Sequence, residues 1–152
     1  MAHVRYVADN MREKDVEEFL AVSFARNRGE LADSLVERYG AHQHAFGFSD
    51  DDDTPVGVGA MVEGRPNVIT LMFFATPLFN KLALPIARFT KRRLFPGYIE
   101  TGVHRIECIS IAGYEEAHRW IRLCGMSEEG VFRGFGKRGE TFHQFAWVAD
   151  AH

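Results

Sequence analysis

Residues 103–148 constrain the fold more than any other part of the chain. They run VHRIECISIAGYEEAHRWIRLCGMSEEGVFRGFGKRGETFHQFAWV, a pattern that predicts a strand, a helix and a two-stranded hairpin. One face of the predicted helix is apolar, with residues at i, i+3, i+4 and i+7 spacing: Ala117, Trp120, Ile121 and Cys124. Gly125 follows at the position where a glycine commonly closes a helix.

The N-terminal part of the chain is predicted to alternate between strand and helix. Residues 4–8 form a predicted first strand, and Asp9 or Asn10 is the predicted N-cap of a helix that carries Val16, Phe19 and Leu20. A second predicted helix covers residues 30–39 and is closed by Gly40.

Three further strands are predicted near residues 41–48, 56–63 and 68–75. Turn-forming residues separate them at 49–55 and 64–67, which favours an antiparallel meander. A helical stretch follows over residues 77–94, in which Pro85 predicts a kink or a later start. The complete predicted order is β-α-α-β-β-β-α-β-α-β-β.

Length and composition predict one globular domain over residues 1–152. The chain has 152 residues, of which 46% are hydrophobic and 26% are charged, enough to bury a substantial core. A net charge of −3 with interspersed acids and bases gives no support for a nucleic acid or an anionic membrane as partner. The longest apolar stretch, residues 68–75, is too short to cross a bilayer.

Cysteine usage predicts a reducing compartment. Cys108 and Cys124 are the only cysteines, and no C-x-x-C spacing occurs. We expect two buried, reduced thiols in a cytoplasmic protein.

The predicted element order and the C-terminal helix together resemble the GNAT N-acetyltransferases. Members of that family carry N-x-x-A-x-x-x-Y-x-x-x-G-F in this helix, and Ala117, Gly125 and Met126 fall on matching positions. Tyr114 replaces the usual Asn, and Ile121 replaces the Tyr that protonates the departing thiolate in many members. The resemblance implies an α/β (α+β) fold: a mixed, mostly antiparallel sheet of about seven strands with helices on both faces.

The same resemblance implies acetyl-CoA as co-substrate and an amine as acceptor. In the family, the pyrophosphate binds free N–H groups at the start of the helix after the fourth strand, where the helix dipole favours an anion. The corresponding contacts here are Phe74, Thr76, Asn80 and Lys81. The family's glycine loop, Q/R-x-x-G-x-G/A, is missing, so an ordinary polar helix entrance is the alternative interpretation.

The reacting centre predicted from the resemblance consists of Glu107, Ser110 and Tyr114. The predicted strand 68–75 contains no Glu or His, so the family's usual base position is empty. Strand alternation places Glu107 on one face and Ser110 on the other. Either could face the cleft, although a cross-strand ion pair involving Glu107 is the more ordinary role for that side chain.

Two other motifs do not predict a ligand site. His42 and His44 would share one face of the predicted strand, but no further ligand accompanies them, so no metal site is predicted. Residues 134–139 match G-x-G-x-x-G, yet they join two strands and open no helix, which predicts a hairpin turn.

A narrower resemblance concerns proteins of tailed phages and prophages, including internal virion proteins of podophages. Their opening M-R-x-x-D-x-x-E is met by Met11, Arg12, Asp15 and Glu18, and residues 118–126 and 142–145 are also similar.

Two hypotheses follow. One is an acetyl-CoA-dependent N-acetyltransferase of phage or prophage type that acts on an unidentified amine. The other is a non-catalytic GNAT-fold phage protein, an internal virion or assembly component whose partners are phage structural proteins, found in the host cytoplasm or the virion.

Overall fold

The computed structural model describes residues 2–150. Its helices are α1 (Ala2–Asp9), α2 (Glu13–Ala21), α3 (Arg28–Tyr39), α4 (Phe79–Phe89), α5 (Phe95–Ile99) and α6 (Glu115–Leu123), and a π-helical turn (Thr90–Leu94) joins α4 to α5. Its strands are β1 (Ala45–Ser49), β2 (Pro55–Arg65), β3 (Val68–Ala75), β4 (Arg105–Ile111), β5 (Ser127–Phe132) and β6 (Phe142–Val148).

The strands form one sheet in the order β1-β2-β3-β4-β6-β5. Only β3 and β4 pair in parallel; every other neighbouring pair is antiparallel. One core lies between the sheet and α4 to α6, and a second lies between the sheet and α1 to α3. The predicted mixed sheet with helices on both faces is confirmed, although the described residues contain six strands rather than about seven.

The missing strand is the predicted first one, because residues 4–8 belong to helix α1. The prediction was wrong because valines in a short segment favour a strand, whereas their spacing is helical. Val4, Val7, Ala8 and Met11 follow i, i+3, i+4, i+7 spacing and are all buried in the second core. Asn10 closes α1 through its side-chain amide, which donates to the Tyr6 carbonyl at 2.8 Å, so it does not begin the next helix.

Other boundaries move by a few residues. The strand predicted at 68–75 matches β3, and the strand predicted from residue 41 begins only at Ala45, so His42 and His44 precede it. Pro85 lies inside α4, which continues through it before the π-helical turn. Residues 134–139 lie in the turn between β5 and β6, as predicted.

Strands β3 and β4 stay together only at one end. Their pairing covers Val68 to Thr70 against Arg105 to Glu107 and then stops, although both strands continue. A gap therefore opens in the middle of the sheet between the second halves of β3 and β4.

Cys108 and Cys124 are both buried free thiols. Within residues 2–150, no helix combines the length and apolar character that a membrane crossing requires.

Candidate functional site

The gap between β3 and β4 contains a cavity of about 250 Å³. Its walls come from both faces of the sheet. Phe19 of α2 and Val22, the residue after α2, line it on one face. Phe79 of α4 and Trp120 and Ile121 of α6 line it on the other. The cavity therefore connects the two faces through the sheet, and most of its lining is apolar.

Helix α2 spans this gap with two acidic side chains that lie three residues apart. The Ala75 N–H at the end of β3 donates to Asp15 Oδ2 at 2.9 Å, and the Ile111 N–H at the end of β4 donates to Glu18 Oε1 at 2.8 Å. In a continuous sheet such N–H groups would be paired across the strands. Here Asp15 accepts the hydrogen bond at the end of β3, and Glu18 accepts the one at the end of β4.

Asp15 is the more deeply buried of the two acids, with 2% of its surface exposed. Arg12 donates to both carboxylate oxygens, from Nε at 3.1 Å and from Nη2 at 3.0 Å. The Tyr114 hydroxyl donates to Oδ1 at 2.5 Å. Burial and the neighbouring Asp15 raise the pKa of Tyr114, which keeps this phenol protonated at neutral pH. Asp15 therefore joins α2, β3 and the start of α6.

Glu18 faces the cavity. Its Oε1 accepts from the Ser110 hydroxyl at 2.6 Å and from the Ile111 N–H, and within residues 2–150 no donor contacts Oε2. Burial is the main cause that raises the pKa of Glu18 from 4.5 to about 7, against the opposing effect of these hydrogen bonds. One oxygen is thus fixed, and the other is available to exchange a proton near neutral pH.

Three aromatic rings form the wall on the α4 and α6 side. The Phe73 and Trp120 ring centroids are 4.7 Å apart, and Phe79 lies 5.2 Å from Phe73 and 5.4 Å from Trp120. The Trp120 indole N–H donates to the Ala83 carbonyl at 3.0 Å and thereby ties α6 to α4.

Replacing Trp120 with phenylalanine is expected to lower the free energy of unfolding by about 2 kcal/mol, because the smaller phenyl ring fills less of the buried space and the hydrogen bond to Ala83 is lost. Urea denaturation measures the change. Replacement of the exposed Leu123 on the same helix by alanine is the control and is expected to have a smaller effect. An unchanged midpoint for Trp120→Phe would show that the indole N–H does not stabilise the α4–α6 contact.

The four predicted acetyl-CoA contacts are not brought together. Phe74 is buried in the core beside α1 to α3, and the buried Thr76 hydroxyl donates to the Val56 carbonyl at 3.3 Å. Asn80 and Lys81 lie in the first turn of α4, where their N–H groups donate to the Pro77 and Leu78 carbonyls. These amides are already used within the turn, so they form no free cradle for a pyrophosphate.

The three predicted catalytic residues lie in different surroundings. Ser110 and Glu107 both line the cavity. Glu107 also pairs with Arg105 of the same strand at 2.5 Å and with Arg65 of β2 at 3.2 Å, and the second pair is a cross-strand ion pair. Tyr114 is buried beneath Asp15 and is not among the residues that line the cavity.

Sequence reasoning did not identify Arg12, Asp15 and Glu18 as site residues. Two signals were present. The three positions lie at i, i+3 and i+6, so they share one face at the start of α2, and they belong to the opening motif of the phage-type resemblance. Polar residues on a helix face that otherwise packs toward a core indicate a buried polar site.

Comparison with known proteins identifies the fold. No protein-family model and no curated protein matches the chain in sequence. An acetyltransferase of the GNAT family from Bacillus anthracis has a TM-score of 0.71 at 18% identity, over 97% of this chain and 89% of that one. Spermidine N-acetyltransferase from Vibrio cholerae, in complex with CoA and spermine, has a TM-score of 0.61 at 12% identity, over 97% and 88%. The chain has the GNAT acetyltransferase fold.

Proposed function

We propose that the protein is an acyl-CoA-dependent N-acetyltransferase in which Glu18 is the general base. The observation that carries this proposal is the position of Glu18 in an open gap between parallel strands, beside a cavity that reaches both faces of the sheet. Two reactants can approach such a gap from opposite faces. The raised pKa of Glu18, about 7, suits a group that must accept a proton at neutral pH.

The donor side of the cavity is the aromatic wall. Its three rings, Phe73, Phe79 and Trp120, offer an apolar surface for the acyl group and the adjoining thioester arm. The Ala75 N–H points into the gap, whereas the Thr76 N–H donates to β2. Backbone polar groups of alternate residues in a strand point the same way, so those of Leu71 and Phe73 also point into the gap. In this proposal, side chains such as those of Asn80 and Lys81 contact the phosphates, because the backbone N–H groups there are already hydrogen-bonded.

The proposed reaction is direct transfer. The amine nitrogen attacks the thioester carbonyl, a C–N bond forms, and the C–S bond breaks with its electron pair on sulfur, so CoA leaves as the thiolate. Glu18 Oε2 takes the proton that the nitrogen loses, while Ser110 and the Ile111 N–H keep the carboxylate oriented through Oε1. Positioning of the two reactants supplies most of the rate enhancement in such a mechanism.

A second candidate function is favoured by a different observation. The helix-entrance amides of α4 are hydrogen-bonded within the turn, and the sequence lacks the glycine loop. Both features fit a non-catalytic GNAT-fold protein of a phage particle, the second hypothesis drawn from the sequence. Phage or prophage origin rests on the sequence resemblance and is part of this proposal.

Calorimetric titration with acetyl-CoA at low salt tests the proposed function. We expect dissociation constants on the order of micromolar, and weaker binding of desulfo-CoA, because desulfo-CoA offers the aromatic wall no acyl thioester. A Lys81→Ala variant should weaken both ligands equally if its cation meets a phosphate. Absence of heat and of any thermal shift at millimolar ligand would overturn the transferase proposal and favour the non-catalytic one.

A further inference from the structure

A second cavity, of about 510 Å³, lies between the hairpin end of β2 and β3 and residues 89–103. It is on the side of the sheet that carries α4 and α5, beside the end of β3 that pairs with β4. It shares no lining residue with the cavity in the gap between β3 and β4. Ligand cavities commonly measure about 300 to 1,000 Å³, so this separate cavity has room for a small molecule.

The floor of the second cavity is apolar. Met61 of β2, Ile69 of β3 and Val103, which precedes β4, are each buried in the core between the sheet and α4 to α6. Leu94 and the exposed Phe89 continue the apolar surface up one wall. Such a lining favours the hydrocarbon part of a ligand over water.

Two local features hold the rim of the second cavity in shape. His44 Nδ1 and the Tyr98 hydroxyl are hydrogen-bonded at 3.1 Å, which connects the segment before β1 to α5 across the rim. The opposite wall is the π-helical turn, where the buried Thr90 hydroxyl donates to the Ile86 carbonyl at 2.8 Å. Turns of this kind are frequent at functional sites. The rim is therefore largely preformed, which lowers the cost of ordering it around a ligand.

The rim carries one group of each charge. Glu63 of β2 and Arg93 of the π-helical turn are the only Asp, Glu, Lys or Arg residues among the described residues that line the second cavity. Both side chains are exposed, so each meets water on one side. No nitrogen of Arg93 lies within 4.0 Å of a Glu63 carboxylate oxygen. Glu63 Oε2 accepts from the Asn67 N–H at 3.0 Å, which orients the carboxylate.

We propose that the second cavity binds a small zwitterion with an apolar body, of the class of an aromatic or large aliphatic α-amino acid. The hydrocarbon part lies on the apolar floor. Its carboxylate meets the Arg93 guanidinium, and its ammonium group meets the Glu63 carboxylate. A ligand with only one of these charges would face one rim group of like charge without compensation, so the rim selects for both. This inference is independent of the proposed transferase function, because the two cavities share no residue.

NMR titration of the isotope-labelled wild-type protein tests the inference. The ligands are L-phenylalanine, phenylpropanoate, which lacks the ammonium group, and phenethylamine, which lacks the carboxylate. We expect L-phenylalanine to shift the amide signals of Ile69, Gly97 and Thr101, which line the second cavity, with a dissociation constant on the order of 0.1 to 1 mM. The other two ligands should bind at least about fivefold more weakly.

Two substitutions test the two ends of the ligand separately. Arg93→Gln should weaken L-phenylalanine by about fivefold and remove its advantage over phenethylamine, because the carboxylate loses its partner. Glu63→Gln should weaken it by a similar factor, about fivefold, and remove its advantage over phenylpropanoate. Glutamine at position 63 keeps an oxygen that accepts from the Asn67 N–H, so the hairpin is retained.

Arg92→Gln and Glu100→Gln are the matched controls. Both residues are exposed and neither lines the second cavity, so L-phenylalanine should bind these variants as it binds wild type. The inference is overturned if millimolar L-phenylalanine leaves the signals of the lining residues unchanged, or if phenylpropanoate or phenethylamine binds wild type as tightly. Equal losses of affinity in the control variants and the two rim variants would also overturn it.

Discussion

Replacing Asp15 with alanine is expected to be the most destabilising single substitution in the site, lowering the free energy of unfolding by about 3–5 kcal/mol. The substitution leaves three groups without their acceptor: the Arg12 guanidinium, the Tyr114 hydroxyl and the Ala75 N–H. Buried donors that lose their partner are costly because water cannot replace it. Urea denaturation followed by circular dichroism gives the change.

Two variants make the Asp15 result specific. Asp33→Ala removes an exposed carboxylate that pairs with Arg5 at 3.0 Å, and its unfolding midpoint is expected to stay near that of wild type, because exposed ion pairs contribute little. Tyr114→Phe removes only one of the donors to Asp15 and should cost less than Asp15→Ala. If Asp15→Ala proved as stable as Asp33→Ala, the role of Asp15 in joining α2 to the sheet would be refuted.

Replacing Glu18 with glutamine is expected to lower kcat/KM for acetyl transfer by about 10² to 10⁴, the usual contribution of a general base. Glutamine keeps a carbonyl oxygen that can accept from Ser110 and the Ile111 N–H, so the fold is retained. The assay measures free thiol released from acetyl-CoA with a panel of primary amines. The wild-type rate should rise with pH through about 7, because only the ionised Glu18 accepts a proton.

Glu17→Gln is the matched control for this experiment. Glu17 is the adjacent acid on α2, its side chain is largely exposed, and its nearest cation is Lys14 at 3.9 Å. It should keep wild-type activity and the wild-type pH profile. Equal activity of the Glu17 and Glu18 variants would exclude Glu18 as the base. Binding of acetyl-CoA by both variants would show that neither substitution disrupts the ligand site.

Glu18 also makes stability depend on pH with a defined sign. Its pKa is about 7 in the folded protein, above the ordinary 4.5, so between these pH values the folded state binds more protons than the unfolded state. The stabilising contribution is complete below pH 4.5 and declines as pH rises toward 7. Denaturation of wild type and Glu18→Gln across this range should show a steeper decline in wild type, because the variant keeps only other groups such as Asp15, whose pKa burial also raises.

The fold was largely predictable from sequence where hydrophobic periodicity was strong and connections were short. Strand 68–75 matched β3, and the strand, helix and hairpin of the C-terminal third were found, because local patterns determine these elements. Helix α1 was missed since eight residues rich in valine satisfy both a strand propensity and a helical spacing. When strand propensity and helical spacing are equally strong, only the packing of α1 on the sheet decides between strand and helix.

The site was less predictable because its partners are distant in sequence. Asp15 meets the Ala75 N–H 60 residues away, and Glu18 meets the Ile111 N–H 93 residues away. No spacing rule connects such positions. The family resemblance indicates a base on a strand, whereas Glu18, the proposed base, lies on the helix that spans the gap.

The two carboxylates of α2 have a mechanical consequence. Asp15 and Glu18 lie within one helical turn, and each satisfies an amide at the end of a different strand. Moving α2 away would expose both amides at once, so a displacement of α2 would loosen the two strand ends together. We therefore expect α2 and the ends of β3 and β4 to become exposed to hydrogen exchange together, as one unit of local unfolding.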